Sequence, residues 1–249
     1  MTDPSILVDA APWRLSGVVY GTLLNDPATL AELGDAVHAA PYKAPPRAPV
    51  LYLKPRNTLT QSGAALEVPA DVGELEIGAA LGIVIGRTAC RVSQADALAH
   101  VGGWMLVADL CVPHRAFYRP SVRLRARDGS CVLGPRVVPR DAIVDPDALE
   151  LAVSVDDLAV QTVRTATMSR SVARLLQDVT EFMTLRPGDL LLLGLAAGAP
   201  RARAGQRFAI EAPQLGRLTG ELVPEGFAAG GLQPAAAGEN ATQAAQVRA

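Results

Sequence analysis

Apolar residues fall in short blocks along this chain, each ended by glycine, proline or a pair of charges. The blocks predict a series of core strands: Gly17–Thr22, Val50–Leu53, Ala79–Gly86, Trp104–Ala108, Leu149–Val155, Leu158–Val163, Leu190–Gly194, Phe208–Ala212 and Gly216–Val223. Asp156-Asp157, between two of them, reads as a hairpin turn. Helical periodicity occurs in fewer places. Asp26 followed by Pro27 marks a helix start, and Leu30, Leu33 and Val37 carry it to Ala39. Ser93 opens a short helix through His100, a residue that reads as a cap or dipole partner rather than a ligand. Ser169 opens the best helix, with Val172, Leu175, Leu176, Val179, Phe182 and Met183 on one stripe, ending before Pro187-Gly188. The segment Pro41–Pro49 is too rich in proline for helix or central strand and is expected to run extended.

Length sharpens this picture. A chain of 249 residues can bury one sizeable core, and no composition break divides its middle. One domain is expected over residues 1–225, followed from about Gly226 by a disordered tail of Ala, Gly, Gln and Pro. The formal charge of −2 points to neither nucleic acid nor an anionic membrane as partner, and no apolar run is long enough to span a bilayer. Three cysteines, Cys90, Cys111 and Cys131, are an odd number without metal spacing, so a reducing cytoplasm is the expected location and a cysteine–histidine zinc site a poor fit.

Candidate chemistry gathers between Gly102 and Pro135. A buried-strand pattern there ends on a carboxylate, Asp109, and a loop with Pro113 and Pro120 follows. Beyond it Arg123, Arg125 and Arg127 alternate with Leu124 and Ala126, so an extended chain would put three guanidiniums on one face. That face is either a solvated edge or one that meets an anion. Lys54 and Arg56, beside Pro55, could likewise hold an anion or lie in an exposed loop.

Several words of this sequence together resemble the fumarylacetoacetate hydrolase family over roughly Gly17 to Val223. They are Lys54-Pro-Arg-Asn-Thr, Leu81-Gly-Ile-Val-Ile-Gly-Arg, Gly102-Gly-Trp-Met-Leu-Val-Ala-Asp, Phe117-Tyr-Arg-Pro, Arg127-Asp-Gly, Glu181-Phe-Met-Thr-Leu-Arg-Pro-Gly-Asp and Leu192-Leu-Gly. Tyr42-Lys-Ala-Pro-Pro, with Phe117–Pro120, is similar to the first of two related halves, fused or separate, in members that isomerise and decarboxylate intermediates of 4-hydroxyphenylacetate breakdown. The resemblance implies a mainly β (α+β) fold: a mixed, mostly antiparallel, partly open barrel or β-roll with a few outer helices. It implies Mg²⁺ or Mn²⁺, and enolate chemistry on a small unsaturated oxo-di- or tricarboxylate. The reactions would be decarboxylation of 5-oxopent-3-ene-1,2,5-tricarboxylate and a proton shift in 2-hydroxyhepta-2,4-diene-1,7-dioate. The assembly would be a homo-oligomer or a pair with a related second subunit. Two alternatives stay open: a catalytically silent half that completes a metal-bearing partner, and an acylpyruvate-type hydrolase.

By that resemblance Asp109 and Arg125 are the catalytic candidates, and Lys54, Tyr118, Arg119 and Arg123 the substrate-binding ones. Arg119 also reads simply as a loop cation. Asp109 matches one metal ligand, but the family's Glu-x-Glu pair falls on Gly78 and Ala80. Glu74 and Glu76 keep the face parity yet lie four residues early, about 13 Å along an extended strand. Arg125 stands where the family has lysine, and Leu195-Ala196 where it has Thr-Pro.

Overall fold

The computed structural model describes residues 15–118 and 121–227. The expected tail from Gly226 lies almost wholly outside them, as does Arg119. Among the described residues fourteen strands run in order: β1 (Val19–Leu23), β2 (Val50–Lys54), β3 (Leu59–Gln61), β4 (Ala64–Val68), β5 (Leu75–Ile85), β6 (Val101–Cys111) and β7 (Cys131–Leu133), then β8 (Val138–Pro139), β9 (Glu150–Val155), β10 (Leu158–Arg164), β11 (Leu190–Leu192), β12 (Arg201–Ala202), β13 (Arg207–Ala212) and β14 (Gly216–Pro224). Nine form one sheet along β2-β1-β11-β5-β6-β7-β3, with β12 on β5 and β8 on β6; five form a second, ordered β10-β9-β13-β14-β4. Most pairs are antiparallel, while β1–β11, β3–β7 and β4–β14 are parallel. The fold is the mostly β, curled half-barrel that the resemblance implied.

The centre is the β5–β6 ribbon, paired in register with Gly78 opposite Asp109 and Glu76 opposite Cys111. Side chains alternate across it. Ile77, Ala79, Leu81, Ile83 and Ile85, with Trp104, Leu106, Ala108 and Leu110, face the larger core shared with the five-stranded sheet. Ala80, Val84, Met105 and Val107 face a smaller core with Val19, Leu190 and Leu192. By the same parity Glu76, Gly78, Asp109 and Cys111 continue the second face to the end of the ribbon. There the apolar cover runs out and the charged site begins.

The helices are shorter than their periodicity predicts. Helix α1 (Pro27–Glu32) starts as expected, with Asp26 accepting from the Ala28 amide at 3.0 Å. It gives way to a 3-10 turn over Gly34–His38, since Gly34 takes φ +49° and breaks the α-helical ladder. Helix α2 (Val122–Arg125) replaces the extended arginine row, and helix α3 (Val172–Thr180) is capped by Ser171 rather than Ser169. Val172, Leu175, Leu176 and Val179 are buried in α3, whereas Phe182 lies beyond it and is exposed. Asp156 and Asp157 both have positive φ, the geometry of a tight two-residue hairpin turn.

Candidate active site

Asp109 sits at the end of β6, fully buried, and is the hub of a charged cluster. Lys54 Nζ approaches its Oδ1 to 2.6 Å. The approach is off the hydrogen-bond direction, so it is an ion pair rather than a hydrogen bond. Arg125 Nη1 lies 3.2 Å from Oδ2, and the Tyr52 hydroxyl donates to the same oxygen. The Arg125 guanidinium also lies over the Tyr52 ring, 4.7 Å from its centroid. Burial first, and then the neighbouring Asp109 charge, hold the Tyr52 phenol well above its ordinary pKa. It therefore stays protonated as a donor at neutral pH.

Each group is placed by backbone structure. Tyr52 is in register with Gly21 on β1, and its ring crosses directly over that residue. A Cβ on Gly21 would lie 1.9 Å from Tyr52 Cζ, so only glycine lets the phenol reach Asp109. Lys54, at the end of β2, is fully buried. Its ammonium donates to the carbonyls of Leu110 (2.9 Å), Arg125 (2.5 Å) and Ser130 (3.1 Å) and to Ser130 Oγ (3.0 Å). It thus holds the last carbonyl of α2, and α2 carries Arg125 to Asp109.

A cavity of about 470 Å³ opens beside this cluster, lined by Asp109, Arg125, Glu76, Cys111, His114 and the 195–199 loop among others. Arg125 Nε is buried without a hydrogen-bond partner, so the guanidinium keeps donor capacity that Asp109 does not use. His114 Nδ1 bonds the Val112 carbonyl at 2.8 Å. Burial, then the Arg125 charge, depress its pKa against the pull of Val112, Glu76 and Asp109, leaving the ring neutral at pH 7. Burial pushes the Cys111 thiol up to about 12, so it is no nucleophile.

The expected residues separate. Asp109 and Arg125, the two catalytic candidates, lie in contact at 3.2 Å. Lys54 does not line the cavity, and it touches Asp109 rather than open space. Arg123 is exposed on α2 and outside the cavity lining, because a helical turn sends residues two apart to different faces. Tyr118 is exposed and packs edge-on against Tyr42, with centroids 6.0 Å apart. Tyr52 and His114 were not legible as site residues: a lone aromatic in a short strand and a lone histidine in a loop carry no periodic signal. The strand register that puts Tyr52 over a glycine is the only clue, and it exists only once the sheet is built.

A divalent ion does not fit this donor set. Asp109 already faces two cations and a phenol donor, which compete with a metal for the same oxygens. A Cβ on Gly78 would lie 2.8 Å from Leu195 Cδ2, so apolar methyls fill the space a glutamate there would need. Ala80 is sealed in the smaller core. Glu74 and Glu76 do not fold back to Asp109: Arg201 binds them at 2.9 and 3.2 Å. No group of three or more potential metal ligands occurs among the described residues.

Comparison with known proteins agrees with this architecture. The model of the fumarylacetoacetate (FAA) hydrolase C-terminal family matches residues 18–223, and the chain belongs to that family. It is 32% identical over 211 residues to a 4-hydroxyphenylacetate degradation bifunctional isomerase/decarboxylase of Escherichia coli, covering 85% of this chain and 48% of that protein. The chain therefore spans about half the length of that relative. A 5-carboxymethyl-2-hydroxymuconate delta-isomerase from Mycobacterium smegmatis superposes with TM-score 0.70 at 28% identity, over 85% of this chain and 80% of the other. A fumarylpyruvate hydrolase from Pseudomonas aeruginosa, solved with Mn²⁺ and pyruvate, shares the fold at TM-score 0.73 and 23% identity, over 90% and 98% of the two chains. Members of this family include isomerases, decarboxylases and hydrolases. Among the described residues no helix is long and apolar enough to cross a membrane.

Proposed function

We propose that this chain is one part of an isomerase/decarboxylase of 4-hydroxyphenylacetate catabolism, binding an unsaturated oxo-dicarboxylate or tricarboxylate in the Asp109–Arg125 cavity. The observation that carries the reading is Arg125, a buried guanidinium half satisfied by Asp109 with its Nε free beside the cavity. A buried, unpaired N–H is costly, and a carboxylate or enolate oxygen removes that cost. In both reactions negative charge builds on an oxygen while a C–H or C–C bond breaks, and a fixed, buried cation stabilises it. Asp109, Lys54 and Tyr52 hold the guanidinium in place and need not touch the substrate. Direct contact falls to Arg125 and the cavity wall.

The test is calorimetric titration of the purified chain with 2-oxoheptanedioate, a saturated oxo-diacid of the same length as the isomerase substrate. Micromolar to millimolar binding that Arg125→Met abolishes supports the reading; undiminished binding by that variant sinks it. Support for a second reading, a silent half serving a metal-bearing partner, comes from the Leu195 packing at Gly78 and the half-length match. It is separated by following loss of the dienol absorbance with this chain alone and mixed with its second half. Turnover by the chain alone supports catalysis here. Turnover only in the mixture, unaffected by Arg125→Met in this chain, supports silence.

A further inference from the structure

The mechanism above leaves the proton without an acceptor. Of the ionisable side chains around the cavity, most are committed. Asp109 is held by Lys54, Arg125 and Tyr52, and the Cys111 thiol is fixed in its protonated form. Glu76 is paired with Arg201, and Glu32 lies exposed at the rim. Arg115 and Arg201 are cations that do not accept protons.

His114 differs from all of these. It follows β6 by three residues, and its ring lines the cavity beside Arg125. A carbonyl oxygen only accepts, so the 2.8 Å contact with Val112 fixes the ring proton on Nδ1. In the neutral ring Nε2 then carries a lone pair. That atom is buried and has no hydrogen-bond partner in the protein. An unsatisfied buried nitrogen next to a cavity calls for a partner, and a ligand in the cavity supplies one. Phe117, with ring centroids 6.0 Å apart at a 55° tilt, buttresses the imidazole. Orientation, tautomer and charge state are thus all set before a ligand arrives.

Resting on the proposed oxo-diacid reading, the geometry points to His114 Nε2 as the group that carries the migrating proton. The step balances within the site. A C–H bond next to the oxo carbon breaks, its proton goes to Nε2, and its electron pair becomes the carbon–carbon double bond of the enolate. The carbonyl electrons move to oxygen, where Arg125 faces the new charge. The imidazolium then returns the proton to the same carbon, or to the far end of the conjugated system, and the ring is neutral again. No oxidant, reductant or second substrate is consumed. Among the charged groups facing the ring, Arg125 disfavours the imidazolium, whereas Glu76 and Asp109 favour it. Burial, the largest influence, also disfavours the imidazolium, so the ring gives the proton back once it has accepted it.

The experiment follows exchange of the C3 protons of 2-oxoheptanedioate in D₂O by proton NMR, using the full chain. Wild type should catalyse exchange, with a rate that rises with pH through a midpoint below the usual histidine value and levels off by neutrality. His114→Gln should slow it by about a hundredfold or more, the lower range for general acid–base catalysis, and should erase the midpoint. Ligand affinity should change less than about threefold, because carboxylate binding rests on Arg125. As a second variant, His114→Ala should regain exchange when imidazole is added, which a merely structural histidine would not allow. An exchange rate in His114→Gln within threefold of wild type, or an unchanged pH profile, overturns the assignment. Wild type that binds the acid without exchanging its protons also overturns it, and leaves the binding reading intact. Wild type that binds nothing overturns both.

Discussion

Two groups of acidic side chains lie along one face of the β5–β6 ribbon and behave oppositely. Asp109 is fully buried, with a lysine, an arginine and a tyrosine around it. Glu74 and Glu76 sit near the same end on the β12 side, where a half-exposed Arg201 pairs with both and the more exposed Arg203 approaches Glu74. Both groups pair with arginine, yet only the first is fully buried. In the interior, removing one charge strands the others, while at the surface water replaces a lost partner. Acidic residues close in the fold therefore need not be close in consequence.

The largest expected break in that contrast is Asp109→Asn. It leaves the buried Lys54 and Arg125 uncompensated and should lower unfolding free energy by about 3–5 kcal/mol, read from urea denaturation. A loss near zero would mean the cluster is wet and the contrast false. Next comes Gly21→Ala, which forces the Tyr52 ring away and should cost about 1–3 kcal/mol by overpacking, together with the Tyr52–Asp109 bond. Tyr52→Phe removes only that bond and should cost about 1.5–3 kcal/mol, the range for hydrogen bonds to charged groups.

A titration sharpens the same point. The Tyr52 pKa is raised on folding, so the folded protein holds its proton where the unfolded chain begins to lose it, near 10. Stability from this group is complete below pH 10 and is lost as pH rises toward the folded value. Urea midpoints measured from pH 8 to 11 should fall at the alkaline end in wild type and fall less in Tyr52→Phe. Smallest of all, Arg201→Ala should leave the denaturation midpoint unmoved within error. Millimolar Mg²⁺ should leave the thermal midpoint unmoved too, since an ion without a site gives no linked stabilisation. A clear upward shift with Mg²⁺ would overturn the donor-set argument.

Much of the fold was legible because the two longest strands, β5 and β6, each carry a long apolar run. The hairpin at Asp156-Asp157 and the Asp26-Pro27 helix start follow directly from residue chemistry. The arginine alternation misled: Arg123, Arg125 and Arg127 satisfy a strand period, but the segment is short and turns as helix. A distant lysine holds the Arg125 carbonyl, an interaction that no local pattern encodes. Helix α1 was overdrawn because Leu33 and Val37 keep the period across a glycine that the α-helix cannot easily cross. In the candidate site, Asp109 and Arg125 stood out by pattern, and the resemblance singled them out from their neighbours. Tyr52 and His114 were not, since the meaning of each depends on one long-range neighbour or one unpaired atom.

The methyl groups of Leu195 against Gly78 give the site a direction in sequence space. Someone wishing to build a hard-cation centre into this scaffold would find that glutamate at 78, made first, meets packed hydrocarbon. Trimming position 195 has to precede it, and freeing Asp109 from its lysine has to follow. No single substitution on that path makes a cation site by itself.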